Sequence, residues 1–243
     1  MDDVTAAKLM ITSLDLTSLN TDDTEENISN LCKKAFTPYG NSASVCIYPR
    51  FIPYAKSILP QGFKVATVIN FPAGLPDIAL MEKEISTAIK LGADELDVVL
   101  PYRSLMSGDV EFCKNYLSAA RKACNGKVLK IIIESGELKK IDLIKQATLL
   151  CIEAKVDFVK TSTGKTETSA TPEAANAILE TLAQNNRNIG FKASGGIKTF
   201  EDAKKYLTLA QSIMGASWVN TAHFRIGASS VLNNLLEKIK QGY

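Results

Sequence analysis

The chain has 243 residues, with 28 Lys or Arg against 26 Asp or Glu and a formal net charge of +2 at pH 7. No Lys/Arg block with interleaved aromatics stands out, which argues against a nucleic-acid partner or a membrane surface; no apolar run spans a bilayer and no basic-then-apolar leader opens the chain, so a cytoplasmic protein is expected. Cys32, Cys46, Cys113, Cys124 and Cys151 are odd in number and lack a C-x-x-C pair, as free thiols in a reducing compartment would.

Short β-branched or aliphatic runs alternate with amphipathic stretches along the whole chain, the pattern of βα units on a parallel sheet. Eight strands are expected, at about 9–15, 43–48, 64–70, 95–101, 128–134, 157–162, 189–195 and 224–228. Between the third and fourth, Pro76 opens a helix with an apolar stripe of Ile78, Met81, Ile85, Ala88 and Ile89, which Gly92 is placed to end. After the sixth, Thr171 and Pro172 form an N-cap and first helical position, with Ile178, Leu179 and Leu182 on the buried side. Thr199 to Asp202 similarly precedes Ala203, Tyr206, Leu207 and Ala210. Such a series predicts one α/β domain over 1–243, a closed (β/α)8 TIM barrel with its site at the C-terminal ends of the strands. An open doubly wound sheet would need a Gly-rich turn after the first strand, and Asp15 to Asn20 contains no glycine.

Lys160 and Lys192 each fall inside a strand that should be buried, where an unpaired ammonium costs on the order of several kcal/mol. Alternation puts Phe158, Lys160 and Ser162 on one face of the sixth strand, and Gly190, Lys192 and Ser194 on one face of the seventh. Two lysines on neighbouring strands repel, which lowers the pKa of at least one toward the neutral amine of Schiff-base chemistry. Asp97 shares a face of the fourth strand with Glu95 and Val99, and Asp15, which follows the first strand, is a candidate substrate-binding residue. A carboxylate and two amines at one mouth suit proton transfer on an iminium, and a structural Asp-Lys pair in the barrel's polar layer suits Asp97 equally. Lys130 comes early in the fifth strand, lower in the barrel, and reads as a structural partner of carboxylates.

Gly195 and Gly196 end the seventh strand and Gly227, Ser229 and Ser230 follow within the eighth unit, where many barrels hold phosphate on backbone N–H groups and a helix N-terminus. Lys165, Lys198 and Arg225 would add charge, and Ser229 or Ser230 is expected as an N-cap. Cys46 reads as a buried inert thiol, and Trp218 and His223 as packing residues. With His223 as the lone histidine, no histidine-rich zinc site can form.

The chain resembles deoxyribose-phosphate aldolases, class I Schiff-base enzymes with a (β/α)8 barrel, over nearly its whole length. The matching motifs are L-D-L-T at Leu14, V-C-I-Y-P-R at Val45, N-F-P-x-G at Asn70, G-A-D-E-L-D-V-V at Gly92, I-I-E-S-G-E-L at Ile132, F-V-K-T-S-T-G-K at Phe158, G-F-K-x-S-G-G at Gly190 and R-I-G-A-S-S at Arg225. The resemblance implies that Lys160 forms the Schiff base, Lys192 tunes it and Asp97 transfers protons, with no metal or other cofactor. It also implies phosphate contacts from Gly164, Lys165, Gly195, Gly196, Ile197, Lys198, Gly227, Ser229 and Ser230. The implied reaction is reversible cleavage of 2-deoxy-D-ribose 5-phosphate to acetaldehyde and D-glyceraldehyde 3-phosphate, small-molecule substrates handled by a homo-oligomer or a single chain. Ala73 stands where relatives often carry histidine, and Lys198 where arginine is common; lysine lacks the bidentate fork, which points to weaker phosphate affinity. Another Schiff-base barrel lyase, such as a transaldolase or keto-deoxy sugar-acid aldolase, and a catalytically silent phosphosugar-binding barrel are the alternatives. Tyr243, beyond the helix-ending Gly242, is either an ordinary terminus or a phenol that folds back to move a proton at C2 of the enamine.

Overall fold

A computed structural model describes residues 1–242. The role raised for Tyr243 therefore lies outside the described residues.

Eight parallel strands close into a barrel, each paired with its sequence neighbour and the first with the last. They are β1 (Leu14–Ser18), β2 (Ser44–Ile47), β3 (Val65–Ile69), β4 (Glu95–Val99), β5 (Val128–Ile132), β6 (Phe158–Lys160), β7 (Gly190–Ser194) and β8 (Phe224–Ala228). Outward-facing aliphatic residues such as Val98, Ile131 and Val159 are fully buried under the helices, which is why these strands read as near-continuous apolar runs. The (β/α)8 class expected from the sequence is the fold observed.

The helix caps follow local chemistry. Asp77 caps Ile78–Leu91 by accepting from the Leu80 N–H at 2.8 Å, so Pro76 precedes the cap instead of opening the helix. Thr171 caps Pro172–Asn185, and Thr199 with Asp202 forms a reciprocal capping box at Phe200–Met214.

The first strand departs from expectation. Of residues 9–15 only Leu14 and Asp15 belong to it: Asp3–Thr12 is a helix capped by the Asp2 carboxylate, which accepts from the Thr5 N–H at 2.8 Å. Its buried residues Ala6, Ala7, Met10 and Ile11 recur at helical spacing, and the short apolar run Leu9-Met10-Ile11 fits either period. A two-residue hairpin, Phe36–Thr37 with Gly40–Asn41, also precedes β2 and was not expected.

Register sets the layers inside the barrel. Asp97 pairs with Lys130, and Lys130 with Phe158, so Lys160 falls two residues further along its strand than the partner of Lys130, toward the C-terminal mouth. Lys130 therefore occupies the lower layer, as its early position in β5 implies.

Candidate active site

Four basic side chains and three carboxylates from six strands converge in the barrel interior. Lys130 Nζ bonds Glu95 Oε2 at 2.6 Å, Asp97 Oδ1 at 3.0 Å and Asp15 Oδ2 at 3.2 Å. Lys192 Nζ lies 2.5 Å from Asp15 Oδ2 and 2.7 Å from Asp97 Oδ2. That same Asp97 oxygen accepts from Lys160 Nζ at 2.8 Å. Buried charges of this kind persist only when paired. Because cations outnumber carboxylates by one here, a neutral amine at one lysine brings the cluster into balance.

The environment selects which lysine that is. Burial pushes the Lys160 pKa down; Asp97 opposes this and the Lys192 charge adds to it, leaving the net shift downward. At Lys192 burial acts in the same direction, but Asp15 and Asp97 together outweigh it and the pKa rises. Lys130 rises well above its usual value for the same reason, with Glu95 as a third carboxylate. Burial would raise Asp97, yet Lys130, Lys160 and Lys192 hold it far below the ordinary carboxylate range. Desolvation, more than lysine-lysine repulsion, is thus the leading cause at Lys160.

Above this cluster a cavity of about 220 Å³ opens at the C-terminal ends of the strands, with Lys160 in its floor. Gly164 and Lys165 wall it after β6, Gly195, Gly196, Ile197 and Lys198 after β7, and Gly227, Ser229 and Ser230 at β8. Asp97 and Lys192 lie beneath Lys160 and do not line the cavity. Gly227 is required where it stands: a Cβ there would come within 2.9 Å of Lys192 Cε. Ser230 occupies the N-cap position of Val231–Gln241 but makes no side-chain capping bond, so its hydroxyl is not spent as the sequence suggested.

Two charges fall elsewhere than expected. Arg225 does not reach the phosphate-type loops; it points down to Asp15 Oδ1 at 2.6 Å and to Glu95 at 3.2 Å. Asp15 sits within β1, fully buried, where it holds Lys192 and accepts from Ser44 Oγ at 2.8 Å, and it does not line the cavity. The cavity also takes Thr17, Ser18, Leu19 and Asn20 from the end of β1, and Thr163. Placing the first strand at 9–15 concealed the former; the alternation Leu14-Asp-Leu-Thr-Ser18 was the signal that carried them. Cys46 is buried inside the barrel beside Leu19, Ala66 and Val68, and burial pushes its thiol pKa up. Trp218 and His223 stack on each other with ring centres 5.4 Å apart, away from the cavity.

The family model for DeoC/LacD family aldolases matches residues 9–237. The chain belongs to this aldolase family. Among solved structures, one titled QR15, an aldolase, is 30% identical with a TM-score of 0.82, covering 96% of this chain and 97% of its own. A deoxyribose phosphate aldolase from Aeropyrum pernix, described as tetrameric, is 25% identical with a TM-score of 0.77 over 100% of this chain and 98% of that one. A Toxoplasma gondii protein with a provisional deoxyribose-phosphate aldolase description shares the fold at a TM-score of 0.90 and 23% identity, covering 98% and 95% of the two chains. Family membership makes the protein an aldolase, a carbon-carbon lyase of the aldehyde-lyase type. No helix among the described residues is long and apolar enough to cross a membrane.

Proposed function

We propose that this aldolase reversibly cleaves 2-deoxy-D-ribose 5-phosphate through a Schiff base on Lys160. One observation carries the assignment: of three buried lysines, Lys160 alone both reaches the cavity and has its pKa lowered. Neutral Lys160 attacks the C1 aldehyde, and loss of water gives an iminium that draws electrons as the C2–C3 bond breaks. The C3 hydroxyl loses its proton, D-glyceraldehyde 3-phosphate leaves, and the enamine takes a proton at C2. Hydrolysis then frees acetaldehyde and the lysine.

We assign Asp97 proton transfer, through water beside Lys160 and between the lysine amines it bridges; the lysines around it keep its carboxylate ionised as an acceptor. Lys192 stays charged and keeps Lys160 neutral. The loops after β6, β7 and β8 offer backbone N–H groups, Lys165, Lys198 and the uncapped start of Val231–Gln241 to the phosphate. Such chemistry serves deoxyribonucleoside catabolism in the cytoplasm, in keeping with five free, buried cysteines. We extend homo-oligomerisation to this chain from the tetrameric Aeropyrum pernix neighbour.

Acetaldehyde with borohydride, followed by peptide mapping, tests the assignment: one ethyl group should reside on Lys160, and Lys160→Leu should lose both the adduct and essentially all turnover. An adduct on Lys130 or Lys192 with Lys160 unmodified refutes it.

A further inference from the structure

We propose that Glu134 is a positioning residue for anion recognition, its buried carboxylate holding the cavity wall formed by Thr163, Gly164 and Lys165 in its binding-competent shape. The proposal rests on the reading of this cavity as a phosphosugar site.

Glu134 lies two residues beyond the end of β5, adopts the left-handed conformation (φ 52°, ψ 59°) and is fully buried. A long side chain in that region is strained, and such strain persists where surrounding contacts over-determine it. Among the described residues no lysine or arginine lies within ion-pair distance of its carboxylate. Its partners all come from the loop after β6. Thr163 Oγ1 donates to Oε2 at 2.6 Å and the Thr163 N–H to Oε1 at 3.2 Å, while the Thr166 hydroxyl, 3.4 Å from Oε1, has a nearer acceptor in Thr168 O at 3.0 Å. Burial pushes the Glu134 pKa up, and the Thr163 bonds, with a smaller contribution from the Lys160 charge, pull against that, so the loop helps to keep the acceptor ionised.

The effect passes outward through Thr163. With its proton committed to Glu134, the Thr163 hydroxyl accepts from the Lys165 N–H at 3.1 Å, which fixes the turn at Gly164. Lys165 then spans the mouth to Leu19 O, 2.7 Å from Nζ, joining the walls from β6 and β1. The neighbouring backbone leaves little slack: the Ser135 N–H donates to Thr161 O at 2.8 Å, and a Cβ on Gly136 would stand 1.9 Å from Thr168 O. Thr163, Gly164 and Lys165 line the cavity while Glu134 lies behind them. Its negative charge is thus spent on loop donors and does not face the ligand.

Glu134→Gly suits the left-handed backbone while removing the carboxylate, and Glu134→Gln keeps one acceptor oxygen. Calorimetric titration with inorganic phosphate should show Kd raised about tenfold or more in Glu134→Gly and less than about threefold in Glu134→Gln. Acetaldehyde trapping at Lys160 should stay within about threefold of wild type in both. A general loss of structure would depress trapping as well, and would not be rescued by glutamine. Phosphate affinity that is unchanged or tighter in Glu134→Gly overturns the proposal, as does parallel loss of trapping or absence of phosphate binding by the wild-type protein. Should Glu134→Gly fail to fold, Thr163→Val decides: Kd must rise by about threefold or more, and an unchanged Kd refutes the relay. Absence of trapping in the wild-type protein counts against the Schiff-base reading alone, since the phosphate titration does not use Lys160.

Discussion

Replacing Lys192 by methionine keeps most of the stem and deletes the charge beside Lys160. Both amine nitrogens bond Asp97 Oδ2, at 2.8 and 2.7 Å, so they stand no more than about 5.5 Å apart; at an effective dielectric of about 20, two unit charges that close repel by about 3 kcal/mol or more. Exposure does not screen it, since both side chains are buried. Deleting Lys192 also frees Asp15 and Asp97 to favour the ammonium form of Lys160. The sign follows: lysine is neutral above its pKa, so a raised pKa depletes the reactive amine at neutral pH. Lys192→Met should move the acid limb of Schiff-base formation to higher pH, cut the rate near pH 7 by about 10²-fold and recover most of it at higher pH. The assay is the rate of borohydride-dependent acetaldehyde trapping across pH, on protein shown folded by circular dichroism. Stripping one partner from a buried ion pair costs about 3–5 kcal/mol, so Lys192→Gln serves if methionine unfolds the barrel. A profile that scales down without moving would refute the electrostatic argument.

Asp97→Asn should lower turnover by about 10²- to 10⁴-fold with substrate binding less affected, and a near-normal rate would reduce Asp97 to an ion-pair partner. Because the folded pKa of Asp97 lies below its unfolded value, its contribution to stability is present above about pH 4 and lost as pH falls further; melting curves of Asp97→Asn should flatten in that window. Ser230→Asp brings negative charge to the start of Val231–Gln241 and should raise KM for the phosphorylated sugar far more than for deoxyribose, and equal effects would move the phosphate contact elsewhere. Arg225→Met leaves Asp15 and Glu95 to the lysines alone and should cost up to about 3–5 kcal/mol in denaturant melts, leaving phosphate affinity unchanged; weaker phosphate binding without loss of stability would reverse its placement.

The sequence by itself determined the eight βα units and the inward direction of Lys160 and Lys192, because helical and strand periods and caps such as Thr171 and Thr199 are local properties. It also located the glycine-containing turns of β7 and β8 that wall the cavity, since those positions follow from strand ends. Its error at residues 9–15 arose where an apolar run was too short for either period to prevail, and contacts with the helices Phe200–Met214 and Val231–Gln241 decided for helix. That one of the two lysines is driven toward the neutral amine was legible in the strand pattern, but which of them keeps its proton was not. Whether a buried amine keeps its proton depends on which carboxylates approach it, and Asp15 reaches Lys192 from 177 positions away, Asp97 reaches Lys160 from 63. Arg225 joined Asp15 and Glu95 below for the same cause: barrel closure brings the ends of the chain together, and an arginine at the lower layer meets the carboxylates there before it can reach the mouth.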